Sequence, residues 1–198
     1  IGLLCISMFS IFTYAFSEHA HMPPIKTQTA EMYFNPGNFT YLKKPDTFWT
    51  SIMIKNFVNL FLWQVEVTWN ASVLELIDVK NPIELTDDIF DVLAPGIGTI
   101  CNEGAVDNVN GIFTYSAYHL KGTTVGVTGT LGVGYKMMEL QFRVRGYGNS
   151  SIHWNQPWPE FPPPNDHTYW TDPSLTEQPC TYTDGYAETI PQLYPFHD

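Results

Sequence analysis

The chain has 198 residues, of which 44% are hydrophobic and 15% are charged, and its formal net charge at pH 7 is −11. This apolar content is typical of a globular chain and excludes an intrinsically disordered one. With 9 Lys and Arg against 20 Asp and Glu, the chain lacks the cations that nucleic-acid binding and docking on an anionic membrane require.

The N-terminal segment, residues 1–16, carries no charge, and a short polar stretch with small residues follows it. An apolar core before such a stretch is the pattern of an export signal, and it is too short for a transmembrane helix. We therefore predict a signal peptide over residues 1–20 and an extracellular mature domain that does not bind membranes directly. The alternative is a segment that the mature protein keeps, as a buried element or as a helix or strand donated to a neighbouring subunit.

Three Asn-x-Ser/Thr sequons, none with Pro in the middle, fit the same extracellular location. They predict N-linked glycans at Asn38, Asn70 and Asn149, each on a surface loop. A single sequon arises easily by chance, whereas three in an exported chain support one another.

The cysteines also fit an oxidising compartment. Cys5 lies in the predicted signal peptide, which leaves Cys101 and Cys180 as an even pair. We predict a disulfide between these two, which would close a loop of roughly 80 residues and stabilise the fold by up to about 4 kcal/mol. The alternative is two free thiols, and two cysteines this far apart form no metal-binding motif.

The first strands emerge after an irregular lead-in, residues 21–46, whose short run Glu31–Phe34 is a candidate edge strand. From Thr47 the pattern is that of strands, and the clearest is Phe61–Trp69. Its odd-numbered residues are apolar and its even-numbered residues are mostly polar, which predicts one buried face and one solvated face. Met138–Val144 alternates in the same way.

Further strands are predicted between turn signals, and no run indicates a helix of ten or more residues. Ile83–Asp91 is acidic and irregular, with room for a short helical turn. Many short strands with alternating faces predict an antiparallel β-sandwich whose two sheets pack about 10 Å apart. The additional candidate strands are Thr50–Lys55, Val73–Val79, Gly111–Leu120, Ser150–Trp154 and Thr181–Ile190.

Several of these segments carry a family resemblance. Val67–Leu76 reads as a strand, a turn and a second strand, and Asp107–Tyr115 enters a strand through an Asp-Asn-x-x-Gly turn. Gly126–Leu131 is a Gly-rich segment that precedes the core strand Met138–Val144. In this order, over residues 47–154, the segments resemble the cohesin-like domains.

The resemblance implies an all-β fold, a jelly-roll sandwich of about nine strands that is related in shape to carbohydrate-binding modules. It also implies extracellular binding of a protein partner or a glycan at the cell surface rather than catalysis. The opening Trp63-Gln64-Val65 is similar to that of archaeal secreted and cell-surface proteins. The chain departs from the family pattern around Asp87–Cys101 and in its tail, so no partner-binding residue is carried over.

The tail, residues 155–198, begins with a Pro-rich stretch that predicts an extended chain, and Asp184–Tyr186 is a candidate closing strand. Aromatic side chains cluster here, and flat rings stack on sugar faces or anchor protein interfaces. Trp154, Trp158 and Trp170 are therefore predicted to stack on a ligand. The alternative is that the tail folds back and its aromatic side chains cover a sheet edge.

No catalytic motif is found in the sequence, since it holds no nucleophile elbow and gives no reason to pair two carboxylates across a cleft. We predict that the chain is not an enzyme, the alternative being a secreted, polysaccharide-active enzyme component. No cofactor is predicted, although an acidic loop could bind Ca²⁺ through its carboxylates if it is not merely solvated. The carboxylates considered for Ca²⁺ are those of Glu84, Asp87, Asp88 and Asp91. His119 and His153 lie on predicted strands, and we predict that they are packed or half-exposed rather than catalytic.

Taken together, the sequence predicts a secreted or cell-surface glycoprotein module that recognises a protein or a glycan. The alternative is a structural subunit of an extracellular filament or surface layer that assembles through its own N-terminal segment. The two hypotheses differ at residues 1–20, which the module loses on export and the assembly subunit keeps.

Overall fold

The described part of the chain is almost entirely β, with thirteen strands and one short helix, α1, at Ile89–Leu93. The predicted signal peptide and the whole Pro-rich stretch, residues 156–166, lie outside the described residues. In the computed structural model the described residues are 29–96, 99–101, 104–120, 125–155 and 168–191, with the side chains of residues 101 and 115–120 left undescribed.

Every segment that the sequence predicts as a strand overlaps an observed strand, and Thr181–Ile190 overlaps two. Those before α1 are β1 (Ala30–Asn35), β2 (Asn38–Leu42), β3 (Thr47–Lys55), β4 (Leu62–Trp69) and β5 (Leu74–Lys80). Those after it are β6 (Thr99–Cys101), β7 (Ala105–Asp107), β8 (Ile112–Leu120), β9 (Tyr135–Val144), β10 (Gly148–Trp154), β11 (Tyr169–Thr171), β12 (Cys180–Thr183) and β13 (Gly185–Thr189).

The strands form two sheets, which confirms the all-β sandwich. The five-stranded sheet has the order β12-β1-β3-β9-β5. The second sheet has the order β2-β13-β10-β4-β8-β6, with β11 pairing with β4 and β7 pairing with β8. Most neighbours are antiparallel, but β1 with β12 and β13 with β2 are parallel pairs.

Three details differ from the sequence prediction. The described part has thirteen strands rather than about nine, because the lead-in and the tail add short strands to both sheets. The predicted strand Thr181–Ile190 is divided at Asp184, where the chain leaves the five-stranded sheet as β12 and enters the second sheet as β13. The run Glu31–Phe34 is not at an edge, since β1 lies between β3 and the tail strand β12.

The apolar rows of β4 and β9 meet in the core between the two sheets, as their alternation predicts. Val67 and Trp69 on β4 and Leu140 and Phe142 on β9 are buried. The rings of Trp69 and Phe142 meet edge to face with centroids 5.4 Å apart. Each fully buried large apolar side chain contributes about 1.5–3 kcal/mol, and a one-residue slip would turn the whole row toward solvent.

The outward row of β4 is the exception to the predicted alternation. Gln64 and Glu66 are only 6% exposed, although the sequence predicts a solvated face there. The hydroxyl group of Thr168, which precedes β11, forms two hydrogen bonds with the backbone of Glu66. Its Oγ1 accepts from Glu66 N at 2.9 Å and donates to Glu66 O at 2.9 Å. The tail therefore completes this sheet beside β4 and buries polar residues that β4 alone would expose.

Loops from both sheets meet at one end of the sandwich, where two glycines permit close approach of the backbones. Gly111 has a φ of +70°, and a Cβ there would lie 2.2 Å from the carbonyl oxygen of Trp69. A Cβ at Gly146 would lie 2.1 Å from the carbonyl oxygen of Ser72. Backbone hydrogen bonds join these loops: Trp69 N donates to Gly111 O at 2.9 Å, and Arg145 N donates to Val73 O at 2.8 Å.

Candidate functional site

The outer face of the five-stranded sheet presents a row of large apolar side chains. Trp49 and Met53 lie on the outward side of β3, and Tyr33 on β1 is directly opposite Met53. All three are half-buried. We call Tyr33, Trp49 and Met53 the outer strip.

Paired charges surround the outer strip and two of the cations lie over its rings. Lys80 Nζ is 4.4 Å from the ring centroid of Trp49, and Lys55 Nζ is 5.1 Å from that of Tyr33. Salt bridges hold these cations and their neighbours in place, although each one at such a surface contributes at most about 1 kcal/mol to stability. The pairs are Lys55–Glu31 at 3.0 Å, Lys80–Glu139 at 3.5 Å, Lys136–Glu139 at 2.7 Å, Lys136–Asp87 at 2.9 Å and Arg143–Glu75 at 2.8 Å.

The second sheet offers a more polar outer face, part of which is already covered. The buried carboxylate of Glu66 accepts hydrogen bonds from Thr114 Oγ1 at 3.2 Å and Asn155 Nδ2 at 2.5 Å. On β10, the exposed His153 places Nδ1 2.6 Å from Asp184 Oδ2. On this face the polar side chain of Glu66 on β4 is engaged in internal hydrogen bonds, whereas His153 on β10 is exposed to solvent.

The loop end holds an open groove of about 550 Å³. It is formed by the loops that join β2 to β3, β4 to β5, β7 to β8 and β9 to β10. We call it the loop-end groove, and its lining residues are Lys44, Ala71, Ser72, Val109 and Arg145.

The tryptophans predicted to stack on a ligand are instead part of the protein interior where the structure describes them. Trp154 is 0% exposed; its ring stacks on Phe34 with centroids 4.5 Å apart, and its Nε1 donates to Thr183 O at 2.9 Å. Trp170 on β11 is 4% exposed and is paired in register with Trp63. Neither ring has a face open to a sugar, which corrects that prediction for both, and Trp158 lies outside the described residues.

The predicted glycosylation sites are all accessible. Asn38, Asn70 and Asn149 are exposed. Only Asn70 lies on a loop, as predicted; Asn38 begins β2 and Asn149 lies on β10, so the predicted loop location is wrong for these two. Asn70 Oδ1 accepts hydrogen bonds from Ser72 N at 3.0 Å and Ser72 Oγ at 2.7 Å, which orders the turn after β4. Their modification stays a prediction.

The two cysteines of the predicted disulfide lie at edges of different sheets. Cys101 ends β6 in the second sheet, and Cys180 begins β12 in the five-stranded sheet. Cys180 is a free thiol here, its Sγ donates to Thr181 O at 3.4 Å, and burial raises its pKa to about 12. The side chain of Cys101 is not among those described, and the bridge between the two stays a prediction.

In the acidic loop considered for Ca²⁺, the carboxylates of Glu84, Asp87 and Asp88 each bond to a different group of the protein. Asp88 caps α1, with Oδ1 accepting from Phe90 N at 2.8 Å. Glu84 accepts from Asn81 N at 3.0 Å, and Asp87 pairs with Lys136. Within the described ranges, no three His, Cys, Asp or Glu side chains are grouped to hold a metal ion.

Asp88 is the acidic residue of this loop whose pKa is raised by burial. It is 1% exposed, and its Oδ2 has no hydrogen-bond partner among the described residues. Burial, with the nearby carboxylate of Asp91 adding to it, raises the pKa of Asp88 to about 6. A carboxyl group of this kind titrates near neutrality, whereas an exposed Asp does not.

Sequence reasoning did not identify the outer strip or the loop-end groove. The strip had a detectable signal, because Trp49 and Met53 share the outward row of β3 with Ser51 and Lys55. Large apolar residues in an otherwise polar row are candidates for an interface. The groove had no such signal, since Lys44 and Arg145 come from distant parts of the sequence.

Comparison with known proteins finds similarity in structure alone. No family model matches the chain, and no curated protein sequence matches it. A type I cohesin–dockerin complex from Clostridium thermocellum has a TM-score of 0.54 at 15% identity, covering 82% of this chain and 100% of that one. The sixth cohesin of Acetivibrio cellulolyticus scaffoldin B, in complex with a Cel5 dockerin mutant, has a TM-score of 0.53 at 12% identity, with coverage of 82% and 100%.

An archaeal protein is similar to the same extent. The non-cellulosomal cohesin from the hyperthermophilic archaeon Archaeoglobus fulgidus has a TM-score of 0.53 at 10% identity, covering 82% of this chain and 92% of that one. Identities this low establish a shared architecture and leave the binding residues to be determined from this chain itself. The chain therefore folds as a cohesin-like β-sandwich domain.

Proposed function

We propose that this chain is a non-catalytic, extracellular recognition module that binds a protein partner. The cohesin-like fold carries the proposal, because two of the similar structures are complexes in which a cohesin holds a dockerin. Those cohesins are fully covered by the match, so it is the whole binding domain and not a fragment of it that this chain resembles.

The outer strip is the surface that we assign to the partner. Interfaces are enriched in Trp, Tyr and Met at their centre and in charged residues at their rim, and a few aromatic residues supply most of the affinity. Trp49, Tyr33 and Met53 provide such a centre, and the ion pairs around them provide the rim. The contacts of Lys55 and Lys80 with the rings restrict these side chains in part, which lowers the side-chain entropy that is lost on binding.

A protein partner is better supported than a glycan. Sugar-binding sites expose flat aromatic rings, and the described tail tryptophans Trp154 and Trp170 are buried. The ring of Trp49 is half-buried and has a lysine over it, so a sugar could stack there only after Lys80 moves. A partner protein can instead contact the ring edge and the surrounding charges together.

Export is part of the proposal and is supported by two observations. The uncharged N-terminal segment has the pattern of an export signal, and the three sequon asparagines are exposed. Within the described residues, none of the helical structure is long and apolar enough to cross a membrane. N-terminal sequencing of the secreted protein tests export directly: loss of residues 1–20 supports the module, and their retention supports the assembly subunit.

The binding proposal is tested by capture from the secretome of the producing organism, with the full chain immobilised and with W49Q and Y186Q variants beside it. Tyr186 is a matched control, since it is a half-buried aromatic residue on β13 of the second sheet. We expect a protein that the wild type and Y186Q capture and W49Q does not. Binding to a glycan array without protein capture, or self-association as the only interaction in light scattering, would overturn the proposal.

A further inference from the structure

The loop-end groove is a cationic recess in an acidic protein. Lys44 and Arg145 line it, and both are exposed. Lys55, Lys80, Lys136 and Arg143 form salt bridges on the five-stranded sheet, whereas neither groove cation forms one within the described part of the chain. Exposed Lys43 also forms no salt bridge among the described residues, but only Lys44 and Arg145 line the groove, and two such cations in one groove stand out in a chain with a net charge of −11.

The acidic residues of the same loops are engaged by their own backbone. Asp46 Oδ2 accepts from Lys43 N at 2.8 Å. Asp107 Oδ1 accepts from Asn110 N at 3.0 Å and from Val109 N at 2.9 Å, and Asp107 Oδ2 accepts from Asn110 Nδ2 at 2.7 Å. These bonds, with those from Asn110 as the main cause, lower the pKa of Asp107. These carboxylates fix the loops and leave the two groove cations available for an external anion.

The rest of the lining is small and apolar. Ala71 and Val109 contribute methyl groups, and Val109 is 85% exposed. Ser72 Oγ already donates to Asn70 Oδ1. A ligand for this groove therefore carries a negative charge for the cations and a short aliphatic part for Val109 and Ala71.

We propose that the loop-end groove binds an acidic polypeptide segment, with Lys44 and Arg145 each pairing with a carboxylate of that segment. A glutamate side chain has both required parts, two methylenes and a carboxylate. An acidic glycan fits less well, because no aromatic ring is among the residues that line the groove, and sugars are bound by stacking on such rings.

The groove adjoins the surface assigned to the partner, so this inference deepens the proposed function and rests on it for its biological meaning. Lys44 precedes β3, which carries Trp49, and Arg145 follows β9, its neighbour in the five-stranded sheet. A partner seated on the outer strip could extend an acidic segment into the groove. The interaction itself can be measured without that partner.

The test is a titration of the ¹⁵N-labelled full chain with N-acetyl tetraglutamate, followed by amide chemical shifts, with tetraglutamine as the neutral probe. We expect saturable shifts in the loops around Lys44, Ser72, Val109 and Arg145 with tetraglutamate alone. They should weaken strongly at about 0.3 M salt, since the pairs are exposed and the screening length falls below 10 Å. The K44Q/R145Q variant should bind roughly tenfold or more weakly.

A charge-matched control separates the site from the overall field. The K43Q variant removes one exposed charge beside Lys44 that does not line the groove, and it should bind as the wild type does, whereas K44Q should bind more weakly. V109E, which places a carboxylate in the groove and leaves both cations intact, should also weaken binding. This second variant keeps the test decisive if K44Q/R145Q does not fold.

Three outcomes would overturn the inference: shifts outside the four loops, equal weakening in the control variant, or tighter binding of tetraglucuronate than of the peptide. If these occur while secretome capture still depends on Trp49, the groove assignment fails and the proposed function stands. If the titration succeeds while capture fails, the proposed function fails and the groove remains a peptide site.

Discussion

The side-chain amide of Asn108 forms both of its main hydrogen bonds with the backbone of one residue, Leu76. Leu76 N donates to Asn108 Oδ1 at 2.9 Å, and Asn108 Nδ2 donates to Leu76 O at 2.9 Å. Leu76 lies on β5, the edge of the five-stranded sheet, whereas Asn108 lies in the turn between β7 and β8 of the second sheet. One side chain thus occupies an exposed strand edge and joins the two sheets.

Removing this amide should destabilise the fold measurably. In N108A, the N–H and C=O of Leu76 lose their partners, which we expect to cost about 1–3 kcal/mol in the free energy of unfolding. Urea denaturation measures the loss. N110A is the matched control, because Asn110 is in the same turn and, among the described residues, its side chain bonds only to the exposed Asp107 side chain. Equal losses in both variants would contradict the bridging role.

Asp88 should make stability depend on pH near neutrality. Its pKa is raised from 3.8 to about 6 by burial, so the protonated form is favoured in the folded state. A raised carboxyl pKa gives stability that is fully present below about pH 4 and is lost as the pH rises through about 6. We expect D88N, which keeps the capping oxygen, to be up to about 3 kcal/mol more stable at pH 7.5.

The measurement is urea denaturation of wild type and D88N at several pH values between 4 and 8. The two stability curves should converge at the acid end and separate as the pH rises. D87N is the control, because Asp87 is exposed and pairs with Lys136 at the surface. Parallel curves for wild type and D88N would show that Asp88 is ionised in the folded protein throughout this range.

The sequence predicts those parts of the fold that depend on residues close together in the chain, and it does not predict those that depend on residues far apart. Alternation within Phe61–Trp69 and Met138–Val144 is enough to predict two buried rows, because each row is a local pattern with a period of two. The burial of Glu66 is not local, since it depends on Thr168, which lies 102 residues later. The parallel pairing of β1 with β12 joins the two ends of the described chain and leaves no periodic signal in either strand.

The candidate site also combines a part that one strand encodes with a part that depends on distant segments of the chain. Trp49 and Met53 were visible as apolar residues in an outward row of β3, so the outer strip could have been predicted from the sequence. The loop-end groove could not, because a cation becomes notable only when its neighbours and their salt bridges are known. Trp154 failed as a predicted ligand contact for a local reason: it shares the inward row of β10 with Ile152.

Gly111 allows a direct comparison of two causes of strain. It has a φ of +70°, and a Cβ would meet the carbonyl oxygen of Trp69 at 2.2 Å. Gly132 has a similar φ of +76° with nothing within 4 Å of a Cβ. We expect G132A to cost about 1 kcal/mol, from backbone conformation alone, and G111A to cost at least about 2 kcal/mol more. Thermal or urea unfolding measures both, and similar losses would show that the loop yields at Gly111.

Trp154 separates a structural role from a ligand-binding role. Its ring stacks on Phe34, and its Nε1 bonds to Thr183 O, so it ties β10 to β1 and to the end of β12. W154A leaves a cavity the size of an indole and an unpaired carbonyl group, and we expect a loss of about 3–5 kcal/mol in the free energy of unfolding. Y147A, which truncates an aromatic residue that is 52% exposed, should change it by less than about 0.5 kcal/mol.

The intermediate variant W154F identifies which contact matters. It keeps an aromatic ring against Phe34 and removes the hydrogen bond to Thr183, so its loss should fall between those of wild type and W154A. A ligand-stacking Trp154 would behave differently, because W154A would then retain its stability and lose only binding. Urea denaturation of the three variants, with a glycan array on those that fold, therefore distinguishes a core tryptophan from a sugar platform.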